Sequence, residues 1–227
     1  MVRPMISRIK SNRFIQAIKK SVLLMLRKPY LSKLRTYISE DSSIITNNCF
    51  GGRIPQDLNY PYNSPTAGLF ICYPDYIIFL KNLQRVVNHR VVFRGGSKYP
   101  EIDEYLKTLP WKVPIGVIEL DDKEIEIIFL HNHSEEESRD KWERRCKRIN
   151  LDKLVIFGSD NDRCTKQDVF EFLKLPYSHK FFFSAHDFDI PDSDEYSFIK
   201  EMSKDKKINT YNKAHILYKY LVQLKYF

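Results

Sequence analysis

Four places in this chain put reactive or ligand-binding side chains directly after a run that reads as a β-strand. Residues 43–48 (SIITNN) end in Asn47 and Asn48 and lead into Cys49, Gly51 and Gly52. Residues 124–130 lead into His131, Asn132 and His133. Residues 153–157 lead into Asp160 and Asp162, and residues 180–184 into His186. In open α/β sheets, ligands bind in the crevice at the carboxyl ends of the strands. His131 and His186 are therefore candidates for the base that removes a proton from a hydroxyl. Two glycines after a strand permit close backbone approach to a ligand, which makes Asn47, Asn48, Cys49 and Gly52 candidate pocket residues. Cys49 is a possible nucleophile, but no basic residue stands beside it in the sequence, so a buried, inert thiol is the plainer expectation.

Asp160 and Asp162 form a D-x-D pair. Such a pair can hold Mg or Mn against a diphosphate, as in metal-dependent nucleotide-sugar transferases, and it also suits an ordinary polar loop. His131 and His133 form an H-x-H pair with no third ligand at a motif spacing. The loop YPYNSPTAGLF offers Asn63, Ser64 and Thr66, either as ligands for hydroxyl groups or simply as turn residues.

These residues need elements to position them. Ser134 and Glu137 form a capping box at the start of a helix that ends near Asn150, with Glu135 and Glu136 in its first turn. Trp142, Cys146 and Ile149 make a narrow apolar stripe on it, while Glu137, Lys141, Arg144 and Arg148 lie on the other side. Either this is a surface helix docked by Trp142, or Arg144 and Arg148 face a phosphate or acidic sugar. Further helices are expected after Pro74 and over 101–109, 167–173, 193–202 and 214–224. Further strands are expected over 91–94 and 115–120.

The 227 residues are 43% hydrophobic and rich in aromatics, which suits a packed core and argues against disorder. Four cysteines without C-x-x-C spacing suggest no zinc or redox motif. With no signal-peptide pattern, a cytoplasmic protein with reduced thiols is expected. The net charge of +8 is unevenly spread: residues 1–39 hold ten Lys and Arg and no Asp or Glu. Pro4 and Pro29 bracket an expected helix in which Phe14, Ile15, Ile18, Val22, Met25 and Leu26 form an apolar stripe. Its longest uncharged run is too short to cross a membrane. The stripe either lies on an anionic membrane surface or packs on the body. Nucleic acid is disfavoured, because no recognisable binding fold follows the basic residues.

The pieces IITNNCFGG, YNSPTAGLF with YIIFLKNL, VPIGVIELDDKEIEIIFLH, SEEESRDKWERRCKRIN, SDNDRCT and LPYSHK occur in that order over residues 43–202. In these pieces the sequence resembles the bacterial domain of unknown function numbered 1919, often labelled exopolysaccharide or capsule biosynthesis protein. Asn132 departs from the pattern where an aromatic residue is expected, and Arg163 where a glycine is often found. The resemblance implies an α/β fold with a Rossmann-like mixed or parallel sheet flanked by helices. It also implies a role in glycan assembly.

The expected organisation is a basic amphipathic arm (1–40), an α/β domain of one or two lobes (41–205) and a C-terminal helix (206–227). The expected function is a glycosyltransferase at the inner face of the plasma membrane, using a nucleotide sugar and a lipid-linked glycan acceptor. Asn47, Asn48 and Gly52 would shape the donor pocket, and His131 or His186 would be the base. Asp160 and Asp162 would hold Mg or Mn or the ribose, and Arg144 and Arg148 the leaving diphosphate. Residues 1–39 would meet the membrane. The alternatives are acyl or phosphoryl transfer to the same glycans, with Cys49 or Ser64 as nucleophile, and a non-catalytic glycan- or membrane-binding subunit.

Overall fold

The computed structural model describes residues 3–224. In chain order the elements are α1 (Arg3–Tyr37), β1 (Ser43–Thr46), α2 (Phe50–Leu58), α3 (Asp75–Lys81), α4 (Leu83–Val86), β2 (Val92–Arg94), α5 (Pro100–Lys107), β3 (Ile115–Leu120), β4 (Lys123–Ile128), α6 (Glu135–Cys146), β5 (Leu154–Ser159), α7 (Lys166–Leu173), β6 (Lys180–Ser184), β7 (Tyr196–Phe198), α8 (Lys200–Ser203) and α9 (Ala214–Leu221).

Four strands form a parallel sheet in the order β1-β5-β6-β7. A parallel sheet is covered on both faces, so its strands are apolar at nearly every position. Successive residues then divide between two cores. Ile45, Ile156 and Phe182 face one core, shared with Tyr76 and Phe79 of α3, Trp142 of α6 and Phe172 of α7. Ile44, Val155, Phe157, Phe181 and Phe183 face the other, closed by α1, α2 and α9. The result is an α/β fold with a four-stranded parallel sheet flanked by helices.

The remaining strands form an antiparallel meander, β2-β3-β4, whose Ile118, Ile125 and Ile127 also enter the first core. Its other face packs Ile115 and Ile128 against Leu106 of α5. A bridge between Phe70 and Ile128 ties the loop after α2 to the end of β4. That bridge brings His131 towards the parallel sheet.

Charged α6 is docked as its apolar stripe suggests. Trp142 is fully buried and meets Phe129 edge-on. Ser134 accepts from the Glu137 N–H, whereas the Glu137 carboxylate turns to the N–H of His133. Asn132 fits where an aromatic was expected because it is buried with polar partners. It donates to Ser138 Oγ (3.2 Å) and accepts from Lys141 Nζ (2.9 Å). The helix ends at Cys146, and Asn150 instead caps the short 3-10 turn Leu151–Lys153.

Two further expectations are corrected. Residues 193–202 are not one helix: Tyr196–Phe198 adds a parallel edge strand to β6, with Tyr196 stacked on Phe182, and α8 follows. Pairing along the open edge of the sheet outweighs a weak helical pattern. Helix α1 does not stop at Pro29 but runs to Tyr37. Beyond Pro29, Leu31 and Leu34 are buried in the second core, so packing holds the helix together through the proline. Arg27 is also buried and donates to Asp57 Oδ1 (3.2 Å) and to the Tyr211 carbonyl (2.6 Å). The second half of the basic arm is thus part of the body.

Candidate functional site

A cleft opens where the carboxyl ends of β1 and β5 meet the end of β4. It consists of two adjoining cavities of about 440 Å³ and about 290 Å³ that share Cys49, Thr210 and Tyr211. The larger is lined by Asn48, Asn161, Asp162 and Lys207, the smaller by Gly52, Arg53, His131 and Arg145.

The turn after β1 is tightly specified. Asn47 spans to β5 like an extra ladder rung: its amide donates to the Ser159 carbonyl (3.3 Å) and accepts from the Ser159 N–H (3.1 Å). Asn48 donates to Ser159 Oγ (2.7 Å) and accepts from the Phe50 N–H (3.0 Å), which fixes the first turn of α2. A Cβ on Gly51 would lie 2.7 Å from Thr46 Oγ1, so the helix can start directly above the strand end only with glycine there. Gly51, rather than Gly52, is the position that close approach requires. Cys49 is held between these two anchors, in helical backbone at the start of α2.

Cys49 has a basic neighbour in space that no adjacent residue supplies in the sequence. Its Sγ lies 3.4 Å from His131 Nε2, joining residues 82 positions apart. Burial, followed by the charge of Asp162, pushes the thiol up to about 11. Desolvation, followed by the Lys141 charge, holds His131 below its ordinary value. At neutral pH the pair is therefore a neutral thiol beside a neutral imidazole. A neutral imidazole at this distance can take a thiol proton as the sulfur attacks, which would need no standing thiolate.

The two aspartates after β5 have separate environments. Asp160 is buried, and its Oδ2 accepts from Ser184 Oγ, the N–H groups of Ala185 and His186, and His186 Nδ1, all within 2.7–2.8 Å. It anchors the turn after β6 and holds His186, whose ring stacks on Phe188 and lines neither cavity. Asp160 Oδ1 is buried without a partner among the described residues. Asp162 instead lines the larger cavity. Burial pushes its carboxyl up to about 6, with Lys207 opposing and Asp160 adding to the shift. Among the described residues, no three His, Cys, Asp or Glu side chains converge as metal ligands. The β6 turn takes up only Oδ2 of Asp160, so the two carboxylates of the D-x-D pair sit in different surroundings.

The raised Asp162 carboxyl makes a stability prediction. Its folded value of about 6 lies above the ordinary 3.8, so ionisation is disfavoured in the fold. Stability attributable to this group is greatest below its ordinary value and falls as pH rises through about 6. Asp162 has φ 59, a conformation Asn tolerates well. Asp162→Asn should therefore raise stability near neutral pH by about 1–3 kcal/mol and leave it unchanged in acid. Thermal melts at the two pH values check this.

Residues 18–227 match the family model described as Domain of unknown function (DUF1919). The chain belongs to the DUF1919 family. The match includes residues 18–42, which the sequence resemblance had left outside it. The chain is also similar to an uncharacterized protein of Haemophilus influenzae, 30% identical over 150 residues. That alignment covers 66% of this chain and 65% of the relative, so the chain spans about two thirds of the relative's length.

In this DUF1919 chain Arg163 stands where glycine was expected, yet the tight turn is kept. Asp162 and Arg163 both have positive φ, 59° and 72°. Two consecutive non-glycine residues in that region store backbone strain. Hydrogen bonds hold the loop: the Tyr73 N–H donates to the Asp162 carbonyl (2.9 Å), and Arg163 pairs with Glu101. The Asn161 side chain clamps Ile208 through its N–H and C=O, which lays residues 207–211 along the cleft.

Several expected residues lie elsewhere. Arg144 and Arg148 are exposed and line neither cavity. Arg145 does line one: it donates to the Ala67 carbonyl and sits 5.6 Å from the Tyr62 ring. Burial, then the Arg148 and Arg144 charges, lowers its pKa. No carboxylate forms an ion pair with Arg145 among the described residues. The helical wheel carried a signal for it. Arg145 lies about 60° from Trp142, at the edge of the buried stripe, whereas Arg144 and Arg148 lie about 160° and about 120° away. Asn63 and Ser64 line neither cavity: Asn63 donates to the Glu40 carbonyl, and buried Ser64 bonds Thr66. His133 packs edge-on against Trp111, away from the cleft.

Proposed function

We propose that this chain is a transferase of surface-glycan assembly that carries an acyl group on Cys49, from a phosphate-bearing thioester donor to a glycan hydroxyl. The observation that carries this reading is the Cys49–His131 pair at 3.4 Å, set between two cavities at the carboxyl ends of the parallel sheet. The glycan acceptor rests on the resemblance to polysaccharide-biosynthesis proteins, and the cytoplasmic setting on the cysteine usage.

His131 Nε2 takes the thiol proton as Cys49 Sγ attacks the donor carbonyl. The acyl-thioester bond to Cys49 forms, the donor C–S bond breaks, and the proton leaves with the donor thiol. The glycan hydroxyl then attacks the Cys49 acyl group. His131 takes the hydroxyl proton and returns it to the sulfur, releasing the glycan ester. Arg145, a cation without a carboxylate partner, is suited to the donor's phosphate. Asp162 accepts a hydrogen bond from the acceptor hydroxyl and orients it across the larger cavity.

A second reading keeps the nucleotide sugar as donor. It is favoured by the Asp162 carboxyl at about 6, a value suited to a general base acting on a hydroxyl. Here the cleft works as a Rossmann-like crevice for a nucleotide diphosphate, with Mg or Mn as a free co-ligand.

A thermal-shift comparison separates the two. The panel is acetyl- and succinyl-coenzyme A against nucleotide sugars, each with and without Mg or Mn. A true donor at about 100 times its Kd stabilises the fold by roughly 2.7 kcal/mol. Metal-independent stabilisation by the thioesters is the expected result. A metal-dependent shift with one nucleotide sugar moves the assignment to glycosyl transfer, and no shift with either class favours the accessory-protein reading.

A further inference from the structure

The two halves of α1 present different faces. At about 100° per residue, Ile15, Ile18, Val22, Met25 and Leu26 share a stripe roughly 100° wide. Its centre lies about 160° from the side on which Arg27, Leu31 and Leu34 are buried. The apolar stripe therefore points away from the body. Ile15, Ile18, Val22, Met25 and Leu26 are 59%, 47%, 48%, 68% and 45% exposed. A run of five large exposed apolar residues on one helix face needs a cover.

We infer that this face docks on an anionic lipid surface, with the helix lying in the plane of the interface. The argument for lipid is charge. Residues 1–39 hold ten Lys and Arg and no acidic residue. Exposed Lys19 and Lys28 flank the stripe on its two sides. A second copy of the same helix would bring like charges together without a single acidic partner, whereas an anionic headgroup layer complements them. Among the described residues, no helix is long and apolar enough to cross a membrane. An amphipathic cationic helix of this kind binds by inserting its apolar face while its basic residues meet the headgroups. The packed second half of α1 then joins the membrane contact directly to the second core. This inference does not depend on the transfer chemistry.

The test uses the full chain and sedimentation with phosphatidylcholine vesicles, with or without about one third phosphatidylglycerol. The wild type is expected to sediment with the anionic vesicles and remain in solution with the neutral ones, and added salt should weaken its binding. The double substitution Val22→Glu with Met25→Glu removes two apolar contacts and adds two repelled charges. It should reduce binding at least about tenfold while leaving the thermal melt of the chain close to wild type, because both side chains are exposed. Equal sedimentation of variant and wild type would overturn the proposal, as would a wild type that ignores anionic vesicles. A wild-type dimer that the double variant turns into a monomer would assign the stripe to self-association instead.

Discussion

Cys49→Ala will lower thiol release from an acyl thioester by about four orders of magnitude or more, the scale of loss expected when a covalent nucleophile is removed. The fold should survive. Cys49 has helical backbone (φ −64, ψ −4), and its side chain's hydrogen-bond partner is the exposed ring of His131. Alanine fits that backbone, and the Asn47 and Asn48 bonds that fix the turn do not involve the sulfur. The thermal melt should therefore stay close to wild type while turnover disappears. The same substitution separates the competing chemistry. In glycosyl transfer with Asp162 as base, Cys49 only lines the cleft, and its loss would leave most of the activity.

His131→Ala is the second large effect, about 10²–10⁴ in kcat/KM, the usual contribution of a positioned general base. It carries a pH signature. His131 must be neutral to accept the thiol proton, so activity is lost as pH falls through its pKa. That pKa is held below 6.5 by desolvation and by Lys141, so kcat/KM should be level around neutrality and fall only in more acidic solution. Lys141→Met removes the charge contribution, and the acid limb should move to higher pH. A purely structural histidine would show no such displacement. The Cys49 thiol at about 11 sets no limit near neutrality, because the proton moves during attack.

Much of the scaffold was legible because its signals are local. Runs such as SIIT, VIF and KFFFS announce buried parallel strands, and Ser134 announces the start of α6 through its cap. The site was legible in pieces but not in its assembly. Asn48, Cys49, Gly52, His131 and Asp162 line the cleft as their strand-end positions suggest. The pairing of Cys49 with His131 depends on the antiparallel meander returning to the parallel sheet through Phe70 and Ile128. No spacing in the sequence encodes that contact. Asp160 and His186 looked equivalent to their neighbours, yet the four donors gathered on Asp160 Oδ2 turn both towards holding the β6 turn. Arg145 does not stand out in the sequence, because the opposite side of α6 carries Lys141, Arg144 and Arg148. The decisive fact is its place at the edge of the Trp142 stripe, where a long side chain reaches round into a cavity. Residues 207–211 have no periodic signal, and the Asn161 clamp positions them.

The most direct measurement of the central claim is intact mass spectrometry of the full chain after brief mixing with acetyl- or succinyl-coenzyme A and no acceptor. The account predicts one added acyl group, located on Cys49 by peptide mapping. It should be lost on treatment with hydroxylamine and absent from Cys49→Ala. His131→Ala should acquire it only slowly. An unmodified wild-type chain that nonetheless turns over the thioester would contradict the covalent route, as would an acyl group on any residue other than Cys49.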